Sequence, residues 1–264
     1  MNEEKTKTSG KGIYVYCVTS GNTPLNFGKI GVNQSEVYTI SYKDICAVVH
    51  DCKAEPYKSE DPEIVKKWIR MHQEIIDKTA EKFGTVLPMS FDVIIKGENK
   101  DPKENVVKWL GEEYEAFKEK MKALEGKQEY GIQLFWNREE IGEKFARSSE
   151  EIARLRKEKA RVSEGKAYFT EQKIKKELKC RLENEADKRF KEFYSKVKEH
   201  TTNLKVEKVK KAQGDEQMIA NLSCLVPDKK VKELGAALDA INNQDGFKVR
   251  FTGPWPPYSF VTSG

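Results

Sequence analysis

Residues 249–261 read VRFTGPWPPYSFV, and the prolines at 254, 256 and 257 restrict the local fold more than any other segment of the chain. Proline fixes φ, removes the N–H that a sheet ladder needs, and pushes the preceding residue toward extended backbone. Pro254-Trp255-Pro256-Pro257-Tyr258 is therefore expected to be neither helix nor central strand but a stiff, polyproline-like strap. Gly253 permits a sharp exit from a preceding strand, and Trp255, Tyr258 and Phe260 then dock at little entropic cost. The candidate binding or clamping residues are Gly253, Pro254, Trp255, Pro256, Pro257, Tyr258 and Phe260. The same segment also reads as a PxxP ligand for another protein's aromatic groove, although packing on its own domains is the favoured role.

With 264 residues, the chain is long enough for two modest cores. Its 48 Lys and Arg are intermixed with 43 Asp and Glu, which reads as a solvated surface and not as an electrostatic footprint for nucleic acid. Five cysteines without a CxxC pair and three histidines argue against a structural metal site and for reduced thiols in the cytosol. The polar start, residues 1–10, lacks the apolar run of a secretion signal and reads as a disordered lead. No uncharged apolar run is long enough to span a bilayer, so no membrane partner is expected.

Periodicity divides the rest. Residues 13–18, 37–40 and 45–50 are strand-like, the last two as an antiparallel hairpin. Asp61-Pro62-Glu63 starts a helix whose buried stripe is Ile64, Trp68, Ile69, His72, Ile75, Ile76 and Phe83. Residues 85–95, with Pro88, form an interrupted edge strand, and a helix runs from Asp101 to Gly126. Tyr130, Ile132, Leu134 and Trp136 then alternate onto one strand face. A Lys- and Glu-rich helical region follows to about His200, broken at Gly165, with Ile174, Leu178, Leu182, Ala186, Phe190, Phe193 and Val197 along one face. Strands at 203–208 and 217–226 flank a turn at 213–215, Asp228 caps a helix, and Phe247, Val249 and Phe251 make a last strand.

The fold class is thus α+β in two domains. Residues 11–126 form the first, and 127–252 form a ferredoxin-like βαββαβ domain with a long helical insertion, followed by the strap at 253–264.

Catalytic patterns are missing. Neither GxGxxG nor GxxxxGK[ST] occurs, Ser90 and Ser223 lie outside any GxSxG elbow, and no set of groups converges on a reaction, so no cofactor is expected. His72 on its apolar stripe reads as a hydrogen-bonded core residue, and His50 lacks a second ligand pair at metal spacing. Ferredoxin-like sheets often bind RNA, but the open face here, with Gly131, Gln133, Phe135, Asn221, Ser223, Lys248 and Arg250, offers a single aromatic. An RNA-binding module is the alternative function. The charged helix is better explained by i, i+4 pairs such as Glu177 with Arg181.

Three segments carry a resemblance: VYCV with VLPMSFDVI, GKAYF at 165–169, and RFTGPWPPYSFV. In order and spacing they closely resemble the gas vesicle protein F/L family, GvpF/GvpL. Where that family usually shows Arg-Phe-Gly after the Leu-Pro pair, this chain has Ser90-Phe91-Asp92, so any role of that arginine does not carry over. The resemblance implies an accessory protein of gas vesicle assembly and not an enzyme. It implies a two-domain α+β fold, and as partners the hydrophobic shell protein GvpA and other accessory Gvp proteins. Cytoplasmic residence at the vesicle follows, whether the protein acts transiently or is retained as a minor structural component. The motifs are common to F and L paralogues.

Overall fold

The computed structural model describes residues 10–97, 101–211, 214 and 216–261. The expected disordered lead therefore lies, except for Gly10, outside the described residues, as do residues 213 and 215 of the expected turn. The chain separates into two units: Met1–Gln128 together with Trp255–Gly264, and Glu129–Pro254. The first and last described residues, Gly10 and Val261, thus belong to the first unit.

In the first unit, β1 (Lys11–Ser20) lies between β4 (Ile45–Lys53) on one side and two short strands, β5 (Val86–Pro88) and β6 (Ile94–Lys96), on the other. β2 (Asn26–Gly28) and β3 (Val37–Tyr42) extend the sheet in the order β2-β3-β4-β1-β5. β3 and β4 form the antiparallel hairpin that their β-branched runs announce. Residues 85–95 are interrupted, as Pro88 requires: the chain leaves the ladder after Pro88 and rejoins it at Ile94. A register shift between Val15 and Cys17 changes the phase of β1, so that Tyr14, Tyr16 and Cys17 all join one core with Ile75 and Ile76.

Those isoleucines belong to α1 (Pro62–Phe83), whose first turn is capped by the Asp61 carboxylate accepting from the Glu63 N–H at 2.8 Å. The expected stripe holds at His72, Ile75 and Ile76, and Thr79 joins it, but Ile64 and Ile69 are exposed. Ile69 sits one residue, about 100° of helix, off the row from 68 through 72 to 76, which turns it to solvent. The expected helix from 101 to 126 is two: α2 (Pro102–Glu112) and α3 (Tyr114–Leu124), parted at Glu113, where φ is −94° and ψ is 5°.

The second unit is built on β7 (Lys127–Asn137), followed by α4 (Arg138–Ser148), α5 (Glu150–Lys159) and α6 (Glu164–Lys198). Then come β8 (Asn203–Val206), β9 (Glu216–Pro227), α7 (Val231–Asn242) and β10 (Phe247–Trp255). Sheet order is β10-β7-β9-β8. Its core joins Tyr130, Ile132, Leu134 and Trp136 with Leu182, Phe193 and Val197 of α6 and Leu234, Leu238 and Ile241 of α7.

Two expected punctuation marks move. The helical break lies at 160–163 with Ser163 as N-cap, so Gly165 is inside the first turn of α6. Asp228 does not cap α7; it opens a short 3-10 turn, Asp228–Lys230, that leads into it.

Candidate functional site

The proline segment is assembled from three local conformations and is not a uniform strap. Phe247 and Val249 pack half-buried on the core of the second unit, and the Phe251 ring stacks on Tyr130 with centroids 4.9 Å apart. Extended backbone continues through Gly253 and Pro254 to Trp255. At Gly253 φ is +121°, in the region that glycine occupies without a Cβ penalty. Pro256 and Pro257 end the strand, and Tyr258–Val261 closes a single helical turn, α8. In it the Phe260 and Val261 amides donate to the Pro257 carbonyl at 3.0 and 3.2 Å. Proline suits the entry to a helical turn, because the N–H it lacks has no intrahelical partner there.

This geometry corrects the expected docking residues. Trp255 is 48% exposed, whereas Pro257 and Val261 are buried and Tyr258 packs against the core of the first unit. Phe247 near the start of β10 packs on a core, Trp255 at its far end is exposed, and the turn beyond Pro257 presents Tyr258 to β5 and α1. The Tyr258 phenol donates to Gln73 Oε1 at 2.8 Å, and burial raises its pKa well above the ordinary phenol value. Phe260 is half-buried, and Gly253 and Pro254 are exposed in β10.

The buried polar groups of the first unit form a second constellation, which spacing alone did not reveal. His72 Nε2 is 3.1 Å from the Met89 carbonyl and therefore carries the proton; Nδ1 accepts from the Tyr14 hydroxyl at 2.9 Å. Tyr14 in turn accepts from the Asp92 N–H at 3.1 Å, and the Asp92 carboxylate accepts from the Tyr57 N–H at 3.1 Å. His50 stacks on Tyr14, and its Nε2 pairs with the Tyr57 hydroxyl at 2.9 Å. Burial pushes both histidines down to a pKa of about 4, with mutual repulsion adding to the effect at His50. Asp92 has φ of +73°, a left-handed conformation that costs a residue with a Cβ; two hydrogen bonds offset its strain. Chemically this is a hydrogen-bonded network that fixes β1, α1 and the 89–92 turn, and within it the buried His50 Nδ1 has no hydrogen-bond partner among the described residues.

Other expected sites are placed as follows. Phe135, the aromatic of the face considered for RNA, is 3% exposed, and Asn221 is buried, so neither is free to stack on a base. Glu177 and Arg181 pair at 2.7 Å, as their spacing implies. Among the described residues, no group of three His, Cys, Asp or Glu side chains converges as a metal site, and no helix is long and apolar enough to cross a membrane. A cleft of about 600 Å³ in the second unit alternates Arg138, Arg156, Glu139 and Glu216 around an apolar floor of Leu178 and Leu182.

Comparison with known proteins returns one family. Residues 12–262 match the family described as "Gas vesicle synthesis protein GvpL/GvpF". The chain is similar to gas vesicle protein L1 of Halobacterium salinarum, at 31% identity over 98% of this chain and 93% of that one. It is similar to gas vesicle protein L of Haloferax mediterranei at 28% identity, over 98% and 89%. Among solved structures, gas vesicle protein GvpF from Anabaena has a TM-score of 0.73 at 17% identity, over 97% of this chain and 100% of that one.

Proposed function

The chain belongs to the gas vesicle synthesis GvpL/GvpF family, and on that premise we propose that it is a non-enzymatic accessory protein of gas vesicle assembly. In this reading it resides in the cytoplasm at the vesicle and binds the hydrophobic shell protein GvpA and other Gvp proteins while the shell is nucleated or extended. The observation that carries the reading is the family match over 12–262, which spans both units and the terminal segment.

A physical route follows from β10. It ends the sheet order, so among the described residues one side of its main chain has no neighbouring strand in that sheet, and Phe251 and Trp255 are exposed along it. A shell subunit with apolar surface aggregates before incorporation unless that surface is covered, and an edge strand carrying aromatics supplies both main-chain partners and apolar area. We assign the chain to the L branch, because the L proteins are 28–31% identical to it and the F proteins 21–24%. We also read the second unit as ferredoxin-like, from its βαββαβ element order and the strand order β10-β7-β9-β8.

The test is capture of purified shell protein by the full chain and by Phe251→Ser/Trp255→Ser. Weakened capture by the folded double variant is expected. Equal capture removes β10 from the contact, and no capture by the unaltered chain overturns the shell-binding role. Its amount in washed, intact vesicles separates a transient chaperone from a retained component.

A further inference from the structure

The tip of the α5–α6 hairpin combines a local excess of basic charge with two exposed aromatic rings. Residues 154–181 hold eleven Lys and Arg against four Glu, an excess of seven, whereas the whole chain has an excess of five. Some of this charge is neutralised internally: Lys159 meets Glu171 at 2.6 Å, and Arg154 meets Glu151 at 2.7 Å. Among the described residues no ion pair holds Arg156, Lys157, Arg161, Lys166 or Lys173.

Within this basic surface, Tyr168 and Phe169 are 62% and 68% exposed, with their rings edge to face at 5.9 Å. They are not on a loose end. Ala146, Ile152, Leu155 and Ile174 join α4, α5 and α6 in one buried cluster, and the bridge from Lys159 to Glu171 ties α5 to α6, so the phase of α6 is fixed with both rings exposed. Two adjacent, fully presented aromatics have no role in the core described above.

We propose that this tip docks an acidic, amphipathic segment of a partner protein, with carboxylates on Lys166 and Lys173 and apolar side chains covering Tyr168 and Phe169. Charge complementarity selects the acidic partner. Glu158 and Glu164, both exposed among the cations, oppose a phosphate backbone. Two aromatics make too narrow an apolar face for a helix lying in a bilayer interface. The inference rests on the assembly reading, in which this chain handles other proteins, and supplies a contact separate from β10.

The full chain is titrated with a synthetic amphipathic peptide bearing a Leu stripe and a Glu face, and with its Lys-faced counterpart, polyuridylate and phosphatidylglycerol vesicles. The acidic peptide binds, and its affinity falls about tenfold in Tyr168→Ser/Phe169→Ser and in Lys166→Glu/Lys173→Glu but not in Trp255→Ser. Equal binding of both peptides, preference for polyuridylate or vesicles, or unchanged affinity in the two double variants overturns the proposal. Shell-protein capture, measured in parallel, separates the two readings. Capture without acidic-peptide binding overturns this surface alone, and peptide binding without capture overturns the shell-binding role alone.

Discussion

The hydroxyl of Tyr258 donates to Oε1 of Gln73 at 2.8 Å, which makes the last turn of the chain part of the core laid down by its first third. The prolines before it bring that turn to β5 and α1, and the tyrosine secures it.

Tyr258→Ala is expected to cost about 3 kcal/mol, from lost burial and the cavity left behind. Tyr258→Phe is expected to cost about 1 kcal/mol, from the hydrogen bond alone. Trp255→Ala, at an exposed position, costs under about 1 kcal/mol. Urea unfolding of the three variants ranks them, and a Trp255 variant less stable than Tyr258→Ala would contradict the docking described here.

Asp92 holds a left-handed conformation with its N–H on Tyr14 and its carboxylate on the Tyr57 N–H. Asp92→Ala keeps the strain and loses the carboxylate contact, at a cost of roughly 1–2 kcal/mol. Asp92→Gly loses the same contact but relieves the backbone, so its cost is smaller. Thermal unfolding with Gly no better than Ala would refute this account of the position.

The buried histidines make the fold acid-sensitive. The unfolded chain takes up protons near the ordinary histidine value of 6.5, while folded His50 and His72 do so only at about 4. Stability is therefore fully present above about pH 6.5 and is lost as pH falls through 4, by roughly 3 kcal/mol for each group. Asp44, held down to about 2 by Lys118 and Tyr114, adds a loss only below the ordinary carboxylate range. Calorimetry from pH 7 to pH 4 should show a falling Tm, and His72→Gln should flatten the slope; an unchanged slope would remove His72 as its source.

Ser149 is buried between α4 and α5, and its hydroxyl accepts from the Ile152 N–H at 3.3 Å. Ser149→Ala is expected to cost about 1 kcal/mol through the lost cap. Hydrogen exchange should show the loosening at α5 before α7, because the cap anchors the Ile152 and Leu155 cluster. Uniform loss of protection would assign the effect elsewhere.

Local physical chemistry was readable wherever neighbours in sequence decide the outcome. The cap and proline at 61–62, the β3–β4 hairpin, the alternation from Tyr130 to Trp136 and the stripe along α6 all follow from spacing alone. Less was legible where one residue's fate depends on a distant one. Ile69 has the composition of a core residue, but helix phase turns it outward. Tyr168 and Phe169 stand out in sequence as part of GKAYF, but their exposure depends on which side of α6 meets Ile152 and Leu155. The hydrogen-bonded chain from Asp92 through Tyr14 to His72 joins residues 20 to 78 positions apart, and no window of sequence contains it.

The sequence by itself determined that residues 254–257 interrupt regular structure, because proline's ring fixes φ and removes a donor whatever surrounds it. Which aromatic of that segment is buried was decided only by the tertiary structure. Burial depends on what lies opposite: Trp255 ends an edge strand, and the turn after Pro257 sets Tyr258 against Gln73 and the core of β1 and α1.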